Sequence, residues 1–271
     1  MEYSSSKYRR IISKIPHPNS LKLLNELEKN EPVAMTGQPP VIWKKAIGFQ
    51  VFDPYGNIFI DFTSGVLVAN CGHNHPEVQN AIIRQVKSGL LTTYIFPNEE
   101  RIKLVKNLLK HAPESLNTVL LFSTGSEAIE ASIKIAKKWG TSQNSTHKNK
   151  IISFDNSFHG RTMGAQLAGG IPSLKTWIGD LDESFIQLPF PDGIYNKDIN
   201  FSSFEEGLYK KNIKAREICA ILVEPYQGGI VSFSPLEYMT LLRKWCDVHN
   251  VLLVFDEVQS GFGRTGKYIS C

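Results

Sequence analysis

No stretch of this chain approaches the roughly 20 consecutive apolar residues that a membrane-crossing helix needs. The opening MEYSSSKYRRIISKIP also lacks the apolar core of a signal peptide. Its Ser and Arg content would suit a transit peptide, and Glu2 speaks against one. Cysteine is sparse: Cys71, Cys219, Cys246 and Cys271 lie far apart with no CxxC pair. That spacing argues against a zinc knuckle, a redox motif or a disulfide framework, and for reduced thiols in the cytoplasm. One-sided charge is missing as well. The 30 basic and 26 acidic residues are spread along the sequence for a net +4, so no segment reads as a nucleic-acid stripe or a membrane-surface face. Neither kind of partner is expected, and there is no internal repeat or low-complexity tract.

What is present suits a folded protein. At 271 residues, 42% of them hydrophobic, the chain can form one large domain or two smaller ones with buried cores. Residues 1–75 read as an N-terminal arm followed by a small antiparallel segment. The arm is polar and proline-bearing, with one short helix near residues 21–27. Beyond it, Asp53-Pro54-Tyr55-Gly56-Asn57 sits between alternating apolar segments at 47–52 and 58–62, a hairpin pattern. Residues 76–271 read as a second domain. Helical spacing over 75–89 and 98–111 is followed by apolar strands at 118–122, 151–154, 219–223 and 251–255, with helices at 127–139 and 236–249 between them. That alternation predicts an α/β fold with a mostly parallel sheet, in which ligands collect at the carboxyl ends of the strands.

The residues just past each strand therefore carry the functional reading. After 118–122 come Gly125 and Ser126 at the start of a helix. Gly125 allows close backbone approach, and Ser126 can cap the helix with free N–H groups facing an anion, although ordinary capping explains such a serine equally well. After 151–154, Phe158, His159, Gly160 and Arg161 offer a flat stacking surface and a fork for a carboxylate or phosphate; a structural turn with a satisfied histidine is the competing view. Glu224 closes the third strand, where an acid can equally be a helix cap or a surface group. Asp256 follows five apolar residues, and a carboxylate there calls for a cationic ring nitrogen, an arginine or a metal.

Several other features carry less. His73 and His75 in CGHNHPEV lack the carboxylate or cysteine partners of a metal site, so a turn into a helix is expected there. The stretch 261–267 falls short of a phosphate-binding P-loop, because Tyr268 stands where Ser or Thr should hold magnesium. Asn144-Ser145-Thr146 and Asn200-Phe201-Ser202 match the glycosylation pattern by chance.

In this order, STGSEAIEASIKIAK, SFHGRTMGA, ILVEPYQGG and LLVFDEVQSGFGRTG resemble the class III aminotransferases of the ornithine, acetylornithine and 4-aminobutyrate type, a branch of the fold type I pyridoxal-phosphate enzymes. The resemblance covers roughly residues 40–268. It implies a pyridoxal 5'-phosphate cofactor whose phosphate is held at Gly125 and Ser126. Phe158 would stack on the pyridine ring with His159 beside it, Asp256 would pair with the ring N–H, and Gln259 would bond the phenolic oxygen. Glu224 and Val258 join this cofactor set, and Arg161 matches a position that binds a substrate carboxylate in several members. The implied reaction moves an amino group between an amino acid or amine and a 2-oxo acid in a homodimer.

Two departures qualify the resemblance. Relatives commonly read EPVQGEGG where this chain has EPYQGGI, so a second Glu is missing and substrate class stays open. The lysine that links to the cofactor lies, in the family, a few tens of residues beyond DEVQ; it is not in this sequence, nor is the family's C-terminal domain. The chain is therefore expected to be an inactive partial sequence of a complete transaminase. A pseudoenzyme that keeps the pocket is one alternative. A Walker-B-type ATPase, suggested by LLVFDE, is another. Family members that racemise, decarboxylate or shift amino groups within one molecule are not separated by these residues.

Overall fold

The computed structural model describes residues 5–35, 37–143 and 147–270. Asn144-Ser145-Thr146 and Cys271 lie outside them. The chain divides into two compact units, Met1–Asn98 and Glu99–Cys271.

In the first unit, helix α1 (Pro18–Asn30) starts with proline in its first turn, where no amide donor is needed, and is longer than the short helix expected at 21–27. Strands β1 (Lys45–Ile47), β2 (Gln50–Phe52) and β3 (Ile58–Ile60) form an antiparallel sheet. The β2–β3 pair is the hairpin expected from the sequence, with Phe52 opposite Ile58. Its turn is built by Asp53, whose Oδ1 accepts from the Tyr55 and Asn57 amides at 2.9 Å each. A tight turn, α2 (Ser64–Leu67), follows, with left-handed backbone at Gly65 and Val66. His73 bonds Asp61 through Nε2 at 2.7 Å and sits edge-on to Trp43. Helix α3 (Pro76–Lys87) again opens on a proline.

The second unit begins with α4 (Glu99–His111) and α5 (Gly125–Ser142). Then come β4 (Lys150–Phe154), α6 (Met163–Ala168), β5 (Phe185–Leu188), α7 (Ser202–Lys210) and β6 (Ile218–Val223). A small hairpin, β7 (Tyr226–Gln227) with β8 (Ser232–Phe233), precedes α8 (Leu236–Val248) and β9 (Leu252–Phe255). The main sheet runs β5-β4-β6-β9 and every pairing in it is parallel.

Every residue of central strand β6 is buried, as expected of a strand covered on both faces. Strand alternation divides the core accordingly. Ile152, Phe154, Ile221 and Val223 pack with Phe204 of α7 and Leu242 and Trp245 of α8. Ile151, Ala220 and Leu222 pack with Ile129, Ile133 and Ala136 of α5 and with Ala165 and Ala168 of α6. Strand β5 was not anticipated, because its four residues FIQL are too short for periodicity to speak.

One expected strand does not form. Residues 118–122 run without pairing to any strand among the described residues, and Leu120, Leu121 and Phe122 are exposed. A run of apolar residues supplies strand propensity, but a strand needs a neighbour to take its backbone hydrogen bonds. Between this segment and α5 lies an apolar groove of about 410 Å³.

Candidate active site

Parallel register brings the strand ends together. Val223 is paired with Phe255, so the residues that follow, Glu224 and Asp256, emerge side by side, and the Asp256 amide donates to the Val223 carbonyl at 2.8 Å. Phe154 is in register with Leu188 on the next pair, which delivers the 155–162 loop to the same edge.

Asp256 is buried, and its partner is His159: Nδ1 lies 2.7 Å from Oδ2, with the imidazole fully buried. Where the sequence calls for a ring nitrogen, an arginine or a metal, the structure supplies a histidine from the neighbouring loop. The other carboxylate oxygen, Oδ1, accepts from the Val258 amide at 3.1 Å. Oδ2 accepts from Nδ1, and the other ring nitrogen, Nε2, is buried with no protein partner.

Glu224 is also buried. Its Oε2 accepts from the Phe158 amide at 3.0 Å and its Oε1 more weakly from Gly228 at 3.5 Å. Burial pushes this carboxyl up to about 7; His159 and the two amides pull against that shift, and the adjacent Asp256 adds to it. Glu224 therefore acts on the loop by fixing the backbone beneath the Phe158 ring, which stands about two-fifths exposed at 41%.

The α5 terminus differs from expectation in one respect. Thr124, not Ser126, caps the helix: its backbone is extended, its Oγ1 accepts from the Glu127 amide, and Glu127 returns a bond to the Thr124 amide. The reciprocal pairing wins because Glu sits three residues after Thr. Ser126 is thereby moved into the first helical turn, where its Oγ accepts from the Arg161 amide at 3.3 Å. Gly125 and Ser126 contribute first-turn amides that have no acceptor within a helix.

Close approach needs glycine at two points. Gly160 has φ +125°, and a side chain there would meet Ser126 Oγ at 2.2 Å. At Gly228 an added Cβ would fall 1.6 Å from Gln259 Oε1, so the glycine gives the Gln259 side chain its place. Val258 is exposed, with Cγ atoms that would touch a side chain at Gly125 from 3.0 Å. The structure thus gathers Ser126, Phe158, His159, Arg161, Glu224 and Asp256 along one sheet edge, with Gly125 against Val258 and Gly228 against Gln259.

Two contributors were missed in the sequence. Glu130, one turn beyond Ser126, accepts from the Gly164 and Ala165 amides at 2.7 and 3.1 Å, tying α5 to the far end of the same loop. Its only signal was a second acid on the face of α5 that bears Ser126. Gln227 is fully buried and donates to the Asp155 carbonyl at 2.9 Å, which anchors the β7–β8 hairpin. By contrast, Glu257 accepts from the Ser270 amide and belongs to the turn, and among the described residues no helix follows 261–267.

The aminotransferase class-III family model fits residues 33–271. The chain belongs to the class III aminotransferases. It is 36% identical to an acetylornithine/succinyldiaminopimelate aminotransferase of Yersinia pestis, over 83% of this chain and 52% of that protein. It is 31% identical to a 4-aminobutyrate aminotransferase of Mycobacterium leprae, over 99% of this chain and 62% of that one. Among solved structures, an (S)-enantioselective omega-transaminase from Thermomicrobium roseum superposes with a TM-score of 0.84 at 25% identity, covering 92% of this chain and 59% of that one. An amine transaminase from an uncultivated Pseudomonas species, in its PLP-bound form, gives 0.79 at 28%, covering 89% and 58%. This class III chain spans between about half and three-fifths of the length of the curated relatives it matches.

Proposed function

We propose that this class III chain carries the pyridoxal-phosphate pocket of a transaminase that moves an amino group between an amino acid or amine and a 2-oxo acid. The observation that carries this reading is the buried Asp256 carboxylate at a strand tip, oriented by His159 Nδ1 and the Val258 amide. The phosphate dianion is held by Ser126 and the first-turn amides of α5, where the helix dipole favours negative charge. Phe158 offers its exposed ring as a stacking surface, Val258 lies against Gly125, and Gln259 donates to the phenolic oxygen. Asp256 keeps a proton on the pyridine nitrogen. When bound, the cofactor supplies a ring that accepts the electrons of the substrate's Cα–H bond. Glu224 holds the Phe158 backbone, and Arg161 takes the substrate carboxylate with its guanidinium fork.

The lysine that would link to the cofactor is not assigned to any of these 271 residues. The enzyme is a homodimer in this proposal, supported by side chains such as Phe62 and Tyr94 that stand about nine-tenths exposed. A cytoplasmic setting is supported by the buried thiols of Cys219 and Cys246.

Titration of the 271-residue chain with pyridoxal phosphate, followed by absorbance, tests the reading. Saturable binding that borohydride does not make permanent is expected, and Asp256→Ala should weaken it at least about 10-fold, the scale of one charge-assisted bond. Equal binding by the variant would sink the Asp256 assignment. Permanent labelling of a lysine would place the linking residue among these 271 residues.

A further inference from the structure

Behind the Phe158-His159 turn lies a small space of about 10 Å³, lined by Ser157, His159, Gln166, Ile171 and Leu174 among others. Two of the lining residues carry polar atoms that are buried and meet no protein partner: Ser157 Oγ and His159 Nε2. Both residues are nearly inaccessible, at 1% and 3% exposure, so bulk water does not reach them. Gln166 is engaged elsewhere, its Nε2 donating to the Leu174 carbonyl. Buried polar groups are rarely left unpaired, and a space of roughly 10–15 Å³ with polar walls is what one water molecule requires.

We propose that this space is a binding site for one ordered water, hydrogen-bonded between Ser157 Oγ and His159 Nε2, and that Ser157 is thereby a positioning residue for Asp256. The water donates one O–H to the bare Nε2 and is held on its other side by the Ser157 hydroxyl. With Nε2 occupied as an acceptor, the ring proton stays on Nδ1, where it bonds Asp256 Oδ2 at 2.7 Å. Ser157, the water, His159 and Asp256 then form one chain of hydrogen bonds ending at the strand tip. The water site stands on geometry alone; its consequence for the cofactor rests on the reading of Asp256 given above.

The test uses the whole chain labelled with ¹⁵N-histidine, without cofactor. The His159 ring signals, identified by their loss in His159→Gln, are expected to show a protonated Nδ1 and a bare but hydrogen-bonded Nε2. Ser157→Ala should move the Nε2 resonance toward that of a free ring nitrogen, and Ser157→Thr, which keeps the hydroxyl, should restore it. A proton on Nε2, or an Nε2 signal indifferent to Ser157→Ala, overturns the proposal. So does a crystal structure of the unsubstituted chain with no density between the two atoms, which needs no variant to fold. Pyridoxal-phosphate affinity is then expected to fall by about 3- to 10-fold in Ser157→Ala and to recover in Ser157→Thr, the range of one lost water-mediated bond. Should Asp256→Ala bind the cofactor as the parent does while the nitrogen signals behave as expected, the cofactor reading fails and the water site survives.

Discussion

Asp61 in the first unit and Glu224 in the second are both carboxylates drawn out of bulk water, and they end on opposite sides of their ordinary range. Burial raises each, but Asp61 is met by four short donors: the Thr63 amide at 2.8 Å, and the Thr63 hydroxyl, the Gly65 amide and His73 Nε2 at 2.7 Å each. Those bonds, led by His73, outweigh burial and hold the carboxyl well below the usual range. Glu224 has two amides, one of them at 3.5 Å, and shares its strand edge with Asp256, so burial wins and the group rises to about 7. The number and length of donors decides the sign. One acid is locked as an anion that organises a turn; the other is poised to gain or lose a proton near neutrality beside the candidate pocket.

The largest effect that would break this contrast is Asp61→Ala, which leaves four donors without their acceptor. It should cost the first unit about 2–4 kcal/mol, since bonds to a charged acceptor contribute roughly 1.5–3 kcal/mol each and do not add. Denaturant unfolding followed by the fluorescence of Trp43, which packs edge-on to His73, measures it.

The two acids also predict opposite pH responses. The lowered Asp61 stabilises the fold above its unfolded value of 3.8, and that contribution is lost as pH falls below it. The raised Glu224 favours the fold fully below its unfolded value of 4.5, and that contribution is lost as pH climbs through about 7. Glu224→Gln should therefore flatten the decline on the neutral side, with a gain on the order of 1 kcal/mol at pH 8, and leave the acid limb unchanged. A parent and variant with superimposable melting profiles between pH 5 and 8 would show that Glu224 is ionised throughout.

Smallest in stability is Gly228→Ala. The new methyl meets the far end of the flexible Gln259 side chain, so the expected cost is below about 1 kcal/mol. Cofactor affinity should nonetheless fall several-fold if Gln259 is pushed from its place. Unchanged affinity would remove Gln259 from the pocket.

Much of this was legible in one dimension. The hairpin at Asp53–Asn57 followed from turn chemistry, α3 from its leading proline, and three of the four strands of the parallel sheet from apolar runs closed by polar residues. Those closing residues marked the candidate site, because a parallel sheet collects its strand ends at one edge. What failed had physical reasons. Residues 118–122 carry strand propensity, yet pairing is a property of two segments. Ser126 lost the cap to Thr124 because a reciprocal bond with Glu127 satisfies two amides where a single serine satisfies one. Strand β5 was too short to show a period.

The sequence by itself determined which residues stand at the strand ends, since local apolar pattern and turn chemistry act over a few neighbours. Only the tertiary structure decided that Asp256 meets His159, 97 residues earlier. It also decided that two neighbouring acids share one edge, and that Ser157 and His159, each with a buried polar atom that meets no protein partner, line the same small space. Those outcomes depend on register between strands and on burial, quantities set by distances that chain order does not contain.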